Sequence, residues 1–396
     1  RAYLVGVIRM SAADAAYTKS HTVHEGEVFV PEPPAVGSMV FTYAICHFVV
    51  DLACVSTMLG AVSATLNLAG TSGQPSPFAV FFAILLYDVL AFALQLPIGA
   101  LLDRVDKNQR VALVSFALIT FGIVVSLVPL GVCAWISVCF LAIGNAIFHC
   151  AGGIDVLNVS EKRAAPSGIF ISTGAAGVFL ATLLVQRNKL LVAFTLLTLL
   201  LICAAMVFAL WRMNVKHWQK HNLPFMVPTF TRARTMAVVL LAATVLLRSY
   251  AGMVMTFPWK ADPLLAAFVV GGVVVGKACG GVVADKYGLC LTSAVSLATS
   301  MFLFLFAWEY PVAGLLAVFL FNFTMPITLS VLARLLPCAK GTAFGIASFS
   351  LAVGSLPAIL GFVLSSPLVL AALAAVSLTL LLGGLYCADQ ADACGA

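Results

Sequence analysis

Two short stretches decide how this chain is read. The first is Gly99-Ala100-Leu101-Leu102-Asp103-Arg104, and the second, 182 positions later, is Gly281-Val282-Val283-Ala284-Asp285-Lys286. Each is glycine, three residues, aspartate and a cation. Each also closes a long apolar run and precedes another: 77–102 before 109–128, and 263–284 before 289–308. One such match reads equally well as a plain turn with flanking charges. Two in equivalent places point to an internal duplication.

Working outward, apolar runs recur at 38–64, 77–102, 109–128, 131–157, 165–186, 189–211, 236–257, 263–284, 289–308, 311–335, 341–364 and 366–387. Of the 396 residues 62% are apolar and 9% charged, where a soluble domain has about half and about a quarter. Too few ionisable groups are present to cover a water-exposed surface, so a soluble enzyme, a nucleic-acid binder and a disordered scaffold are excluded. A bilayer span takes about 20 apolar residues, so this composition supplies about twelve. The runs are continuous rather than alternating, which selects helices over barrel strands. The fold class expected is therefore an all-α membrane protein of twelve transmembrane helices in two pseudo-symmetric six-helix bundles. The bilayer itself is its first partner.

The boundaries follow from the same pattern: a polar extension at 1–37, a first bundle at 38–211, a basic linker at 212–235, a second bundle at 236–387 and a tail at 388–396. The extension carries Pro31, Pro33 and Pro34 and lacks the apolar stretch of a secretory signal. With its N-terminus in the cytoplasm, the chain places sixteen of its 21 Lys and Arg on the cytoplasmic side, three outside, and Arg248 and Lys277 within spans. Positive charge collects on the cytoplasmic side, so both termini are placed there, in a plasma or bacterial inner membrane. The net charge of +6 is thus topology rather than an affinity for nucleic acid. The eleven cysteines include no Cys-x-x-Cys pair and read as small buried hydrophobes. Nothing in their spacing resembles a zinc or iron–sulfur site, so no metal and no cofactor are expected.

The paired stretch resembles the G-x-x-x-D-[RK] loop signature of the major facilitator superfamily of transporters, over about 38–387. That resemblance implies two bundles rocking about a substrate site near the midplane between them. It also implies a gating role for Gly99, Asp103, Arg104, Gly281, Asp285 and Lys286. Physically, glycine lets helices pack closely, and the aspartate can either accept from a helix N-terminus or pair with a cation. Span 4 lacks the arginine, and span 5 (Gly174-Ala175-Ala176-Gly177) the proline, of the family's drug–proton antiporters. The stretch Gly144-Asn145-Ala146-Ile147-Phe148-His149 resembles the fosmidomycin-resistance branch.

Ionisable groups inside a bilayer cost at least about 2.5–3.5 kcal/mol each on insertion scales, so those present are candidates for substrate binding or ion coupling. Span 1 carries His47 and Asp51, one turn apart. Span 2 carries Asp88 and Gln95, and span 4 carries Asn145 and His149, again one turn apart. Arg248 lies in span 7, Lys277 in span 8 and Asn322 in span 10. Acidic groups lean to the first half and basic groups to the second, so Asp51 can pair with Arg248 and Lys277 across an empty cavity. Arg248 and Lys277 suit an anion. Histidine titrates near neutral pH, so Asp51 with His47 suits proton uptake and release. The competing reading is permanent ion pairs and helix-bridging hydrogen bonds. Asp155, near the end of span 4, reads as a gate or loop partner. In span 8 Gly272, Gly276 and Gly280 suit close packing. Pro326 in span 10 suits a kink.

The functional expectation is a secondary transporter moving a small, anionic solute by alternating access with possible proton coupling. It is not expected to be an enzyme, since no Gly-x-Ser-x-Gly and no paired catalytic carboxylates occur; the one His-x-x-x-His, His217 to His221, lies in the basic linker. The alternative is a non-transporting subunit or scaffold of the same fold in a larger complex, with a protein partner that the sequence does not indicate.

Overall fold

The structure, a computed structural model, describes residues 33–68, 77–105, 107–213 and 230–393. Most of the 1–37 extension and the linker segment 214–229 lie outside the described residues. Eleven helices are long and apolar enough to cross a membrane, and a twelfth apolar helix is shorter. In chain order they are α1 (Gly37–Asn67), α2 (Pro77–Val105), α3 (Asn108–Ser126), α4 (Gly131–Ser160), α5 (Ala165–Leu184) and α6 (Lys189–Arg212). The second half supplies α7 (Arg232–Val254), α8 (Pro263–Tyr287), α9 (Leu289–Phe304), α10 (Pro311–Leu335), α11 (Lys340–Ile359) and α12 (Pro367–Ala393). Each coincides with one apolar run of the sequence. The last runs on to Ala393, beyond the expected boundary at 387, because Arg334 pairs with Asp389 at 2.9 Å and Asp392 at 3.2 Å on its final turns.

The packing repeats. In the first half α1 packs on α5 and α6, α2 on α4, and α3 on α4 and α6. In the second half α7 packs on α11 and α12, α8 on α10, and α9 on α10 and α12. Raising each helix number by six converts one set into the other, as expected for two duplicated bundles about a pseudo-two-fold axis. The bundles meet mainly where α2 lies on α11 and α5 on α8, a pair of contacts that the same rule interconverts.

The polarity of the bundle is inverted relative to a water-soluble protein. Phe78, Phe194 and Leu201 on the outside are each 71% exposed, while Ser115, Ser137, Thr244 and Ser300 are fully buried. An outer surface of large apolar side chains is stable against hydrocarbon and costly against water, so this is a multi-pass membrane protein.

Local chemistry sets the helix ends and breaks. The Asn188 side chain accepts from the backbone N–H groups of Leu190 and Leu191 at the start of α6, and Asp262 does so for Leu264 and Leu265 at the start of α8. Such caps satisfy donors that a helix leaves open. Helix α10 is interrupted between Phe321 and Thr324. Pro326 has no N–H to donate to the Asn322 carbonyl, which accepts instead from Met325 at 3.3 Å. Thr328 donates to the Met325 carbonyl at 2.8 Å. Helix α2 breaks at Leu94, three residues before Pro97. Helix α1 carries a π-helical turn at Met58–Val62.

Candidate functional site

Two of the sequence-read pairs converge. His47 and Asp51 stand one turn apart on α1, and Asn145 and His149 one turn apart on α4. Asp51 Oδ2 lies 3.2 Å from His47 Nε2, and Asp51 Oδ1 lies 3.6 Å from His149 Nε2. Asn145 Nδ2 donates to Asp51 Oδ1 at 3.1 Å. The two imidazoles meet edge to face, with Nε2 of His47 2.8 Å from Nε2 of His149. The opposite edge of each ring is pinned: His47 Nδ1 lies 2.7 Å from the Phe170 carbonyl, and His149 Nδ1 2.9 Å from the Asn145 carbonyl. Gly174 on α5 closes the cluster, since a Cβ there would collide with Asp51 Oδ2 and His47 Nε2.

The second half presents cations. Arg248 is 7% exposed, and its guanidinium carbon lies 5.2 Å from the Phe321 ring centre, next to the α10 break. Its Nε is buried with no hydrogen-bond partner. Lys277 stands where α8 meets α5, with its carbonyl under Gly168, and it lies within electrostatic reach of both Arg248 and Asp51. Neither cation forms an ion pair among the described residues; the only partners of Asp51 in such contacts are the two histidines. The expected pairing of Asp51 with Arg248 and Lys277 is therefore replaced. The carboxylate is engaged inside its own half, and the cations are left without counter-charge.

The other expected residues lie elsewhere. Gln95 is buried at the break of α2, where its side-chain Nε2 donates to the Ala91 carbonyl and its backbone carbonyl accepts from the Cys150 thiol. Asn322 turns its amide onto its own helix, donating to the Val318 carbonyl at 2.8 Å. Asp88 is half-buried and makes no hydrogen bond or ion pair with a described residue. Asp155 lies in the last third of α4. It is buried, and accepts from the Tyr43 hydroxyl at 2.7 Å and Asn108 Nδ2 at 2.7 Å, which ties α1 and α3 to α4. Tyr43 and Asn108 carry no spacing signal that would have marked them.

The aspartates of the duplicated stretch both reach across the bundle interface. Asp103, at the end of α2, accepts from the Gly341 and Thr342 N–H groups at 2.6 and 2.8 Å and from the Thr342 hydroxyl at 2.8 Å. Asp285, at the end of α8, accepts from the Ala164 and Ala165 N–H groups at 2.6 and 2.9 Å. Of the two options open in the sequence, a helix N-terminus rather than a cation is the partner. Arg104 and Lys286 are exposed, and Lys286 stacks over Tyr287. Close approach needs the glycines: a Cβ on Gly99 would strike the Gly341 carbonyl, and one on Gly281 would strike Ala164. Gly276 and Gly280 pack on Phe319 and Phe323 of α10.

No protein-family model matches the sequence, and no curated protein matches it. Solved structures do. The chain is similar to the human organic anion transporter MFSD10 (TETRAN), with 14% identity, TM-score 0.66, and coverage of 88% of this chain and all of that one. It is similar to the E. coli fucose:proton symporter FucP (11% identity, TM-score 0.59, 88% and 99% covered). It is also similar to a bacterial homologue of the iron transporter ferroportin in an outward-facing state (14% identity, TM-score 0.59, 89% and 99% covered). At these identities the likeness establishes the fold. The class defined is a twelve-helix membrane protein of the major facilitator fold.

Proposed function

We propose that this chain is a secondary active transporter that carries a small anionic solute across the membrane by alternating access. The observation that carries the reading is Arg248, a buried guanidinium with an unpartnered Nε and a second unpaired cation, Lys277, within electrostatic reach. A buried charge is costly unless paired, and two like charges are costlier still. An anion entering between them supplies what both lack. The solved structures of this fold include an organic anion transporter and a proton symporter, which agrees with such a use of it.

The cluster of His47, Asp51 and His149 opposite supplies a cation-holding counterpart. A cation taken up with the anion lowers the charge that crosses the bilayer; a proton is the simplest such cation. The two aspartate latches hold one face shut, and their release belongs to the other half of the cycle. That face carries most of the Lys and Arg, so it is assigned to the cytoplasm, with both termini, in a plasma or bacterial inner membrane.

The test is a thermal-shift screen of small mono-, di- and tricarboxylates, phosphate and sulfonates on purified protein, since a ligand of the folded state raises its apparent stability. Anions that raise Tm in the parent and not in Arg248→Gln are the expected result. A screen in which only neutral or cationic solutes act defeats the anion assignment.

A further inference from the structure

The cluster on α1 and α4 has a feature that anion transport does not require. A backbone carbonyl can only accept, so the proton of each imidazole sits on Nδ1, facing Phe170 O for His47 and Asn145 O for His149. In the neutral rings both Nε2 atoms are then bare lone pairs. They face each other at 2.8 Å, with the Asp51 carboxylate 3.2 and 3.6 Å away. Three electron-pair donors aimed at one point, with no hydrogen between them, repel. A cation at that point reverses the sign of every contact. A proton satisfies one nitrogen pair; a metal ion satisfies all three groups at once.

We propose that His47, Asp51 and His149 form a binding site for a single divalent transition-metal ion of the Zn²⁺, Fe²⁺ or Co²⁺ type. The donor set is two imidazoles and one carboxylate, which suits these ions rather than Ca²⁺ or Mg²⁺. Two ligands at about 2.0–2.1 Å from a metal stand about 2.9 Å apart at the right angle of an octahedral site and about 3.3 Å apart at the tetrahedral angle, against separations of 2.8, 3.2 and 3.6 Å here. All three ligand atoms lie within 4.8 Å of one another. The surroundings match those of metal-bound histidines, whose far N–H is held by a carbonyl or carboxylate and whose ligating carboxylate is itself hydrogen-bonded. Here two carbonyls and Asn145 Nδ2 fill those roles. Gly174 keeps the space open. The Asp51 side chain is 14% exposed and that of His149 10%, which leaves a path for entry and a coordination position for water or an anion. The sequence reading expects no metal because the ligands come from two helices about a hundred positions apart. Binding does not depend on an anion at Arg248 and Lys277, so either reading can fail alone.

The site is tested on the full chain in detergent, with His21, His24, His217 and His221 changed to Gln, so that His47 and His149 are the only histidines left. Co²⁺ and Zn²⁺ are titrated with absorption and calorimetric readouts, and the zinc-loaded protein is measured by X-ray absorption. One equivalent is expected, with two imidazoles and oxygen in the ligand shell. Asp51→Asn and His149→Gln should each weaken binding by at least about tenfold, and Asp51→Glu should retain part of it. No binding in the micromolar range, a sulfur shell at about 2.3 Å, or equal affinity in folded Asp51→Asn and His149→Gln proteins overturns the site. If those variants fail to fold, the ligand shell of the parent decides alone.

Discussion

Asp103 and Asp285 make the same contact in opposite directions. Asp103 leaves the first bundle to take two backbone N–H groups at the start of α11, and Asp285 leaves the second to take two at the start of α5. An anion at a helix N-terminus gains from the open donors and the helix dipole together. The two contacts join the bundles beside the α2–α11 and α5–α8 packing.

Asp103→Ala and Asp285→Ala are expected to lower turnover more than substrate affinity. Each change removes about 0.5–2 kcal/mol from the latched state, which shifts the latched-to-open ratio by roughly two- to thirtyfold. Binding and flux measured on the same variants check this. Normal flux in both variants would count decisively against a gating role.

Gly281→Ala is expected to destabilise the protein by about 1–3 kcal/mol, a common cost of overpacking, because the new Cβ strikes Ala164 and Ala165 backbone atoms. Gly252→Ala meets nothing within 4 Å and serves as the comparison. Thermal unfolding in a common detergent reads both.

Arg248→Met carries a prediction of two signs. Removing an unpaired buried charge should raise the stability of the ligand-free protein, as replacement of buried ionic groups by apolar ones often does. The same change should abolish the Tm shift produced by the anion. Lys277→Met should weaken the shift by about tenfold or more in affinity, about 1.4 kcal/mol. A parent-like ligand shift in both variants returns the two residues to a structural role.

Asp51→Asn removes the one anionic donor of the α1–α4 cluster. Uptake driven by a cation gradient, a proton gradient included, should be lost in proteoliposomes, while counterflow of the anion and its Tm shift survive. Full gradient-driven uptake in this variant would rule out coupling through Asp51.

Asp155→Ala should cost stability without touching coupling. It strands the Tyr43 hydroxyl and Asn108 Nδ2, and each buried group left unpaired costs about 1–3 kcal/mol. A drop in Tm with intact counterflow in the surviving protein is the expected pair of results.

The fold was legible because every helix is a continuous apolar run, and because the α10 break follows from Pro326. The end of α12 was not legible: Ala388 to Ala393 read as a polar tail until Arg334 is seen across from Asp389 and Asp392. Within the site, the pairs His47 with Asp51 and Asn145 with His149 were readable from one-turn spacing. Their meeting depends on how α1 lies against α4, which helix periodicity does not specify. Asp103 and Asp285 were readable as motif residues, but apart from the Thr342 hydroxyl their partners are main chain, and main-chain N–H groups leave no mark in a sequence. The partners of Asp155 were not readable, because the tyrosine and the asparagine belong to two other helices.

The main-chain nature of those partners has a genetic consequence. Each of positions 164, 165 and 342 offers an N–H whatever side chain it carries, proline excepted, so most point mutations there leave those donors in place; Gly341 is different, since a Cβ there would strike the Gly99 carbonyl and Asp103 Oδ1. The aspartates have no such redundancy. Loss-of-latch alleles should therefore concentrate at positions 103 and 285 and at the glycines that permit the approach, and a suppressor would have to come from elsewhere in the molecule.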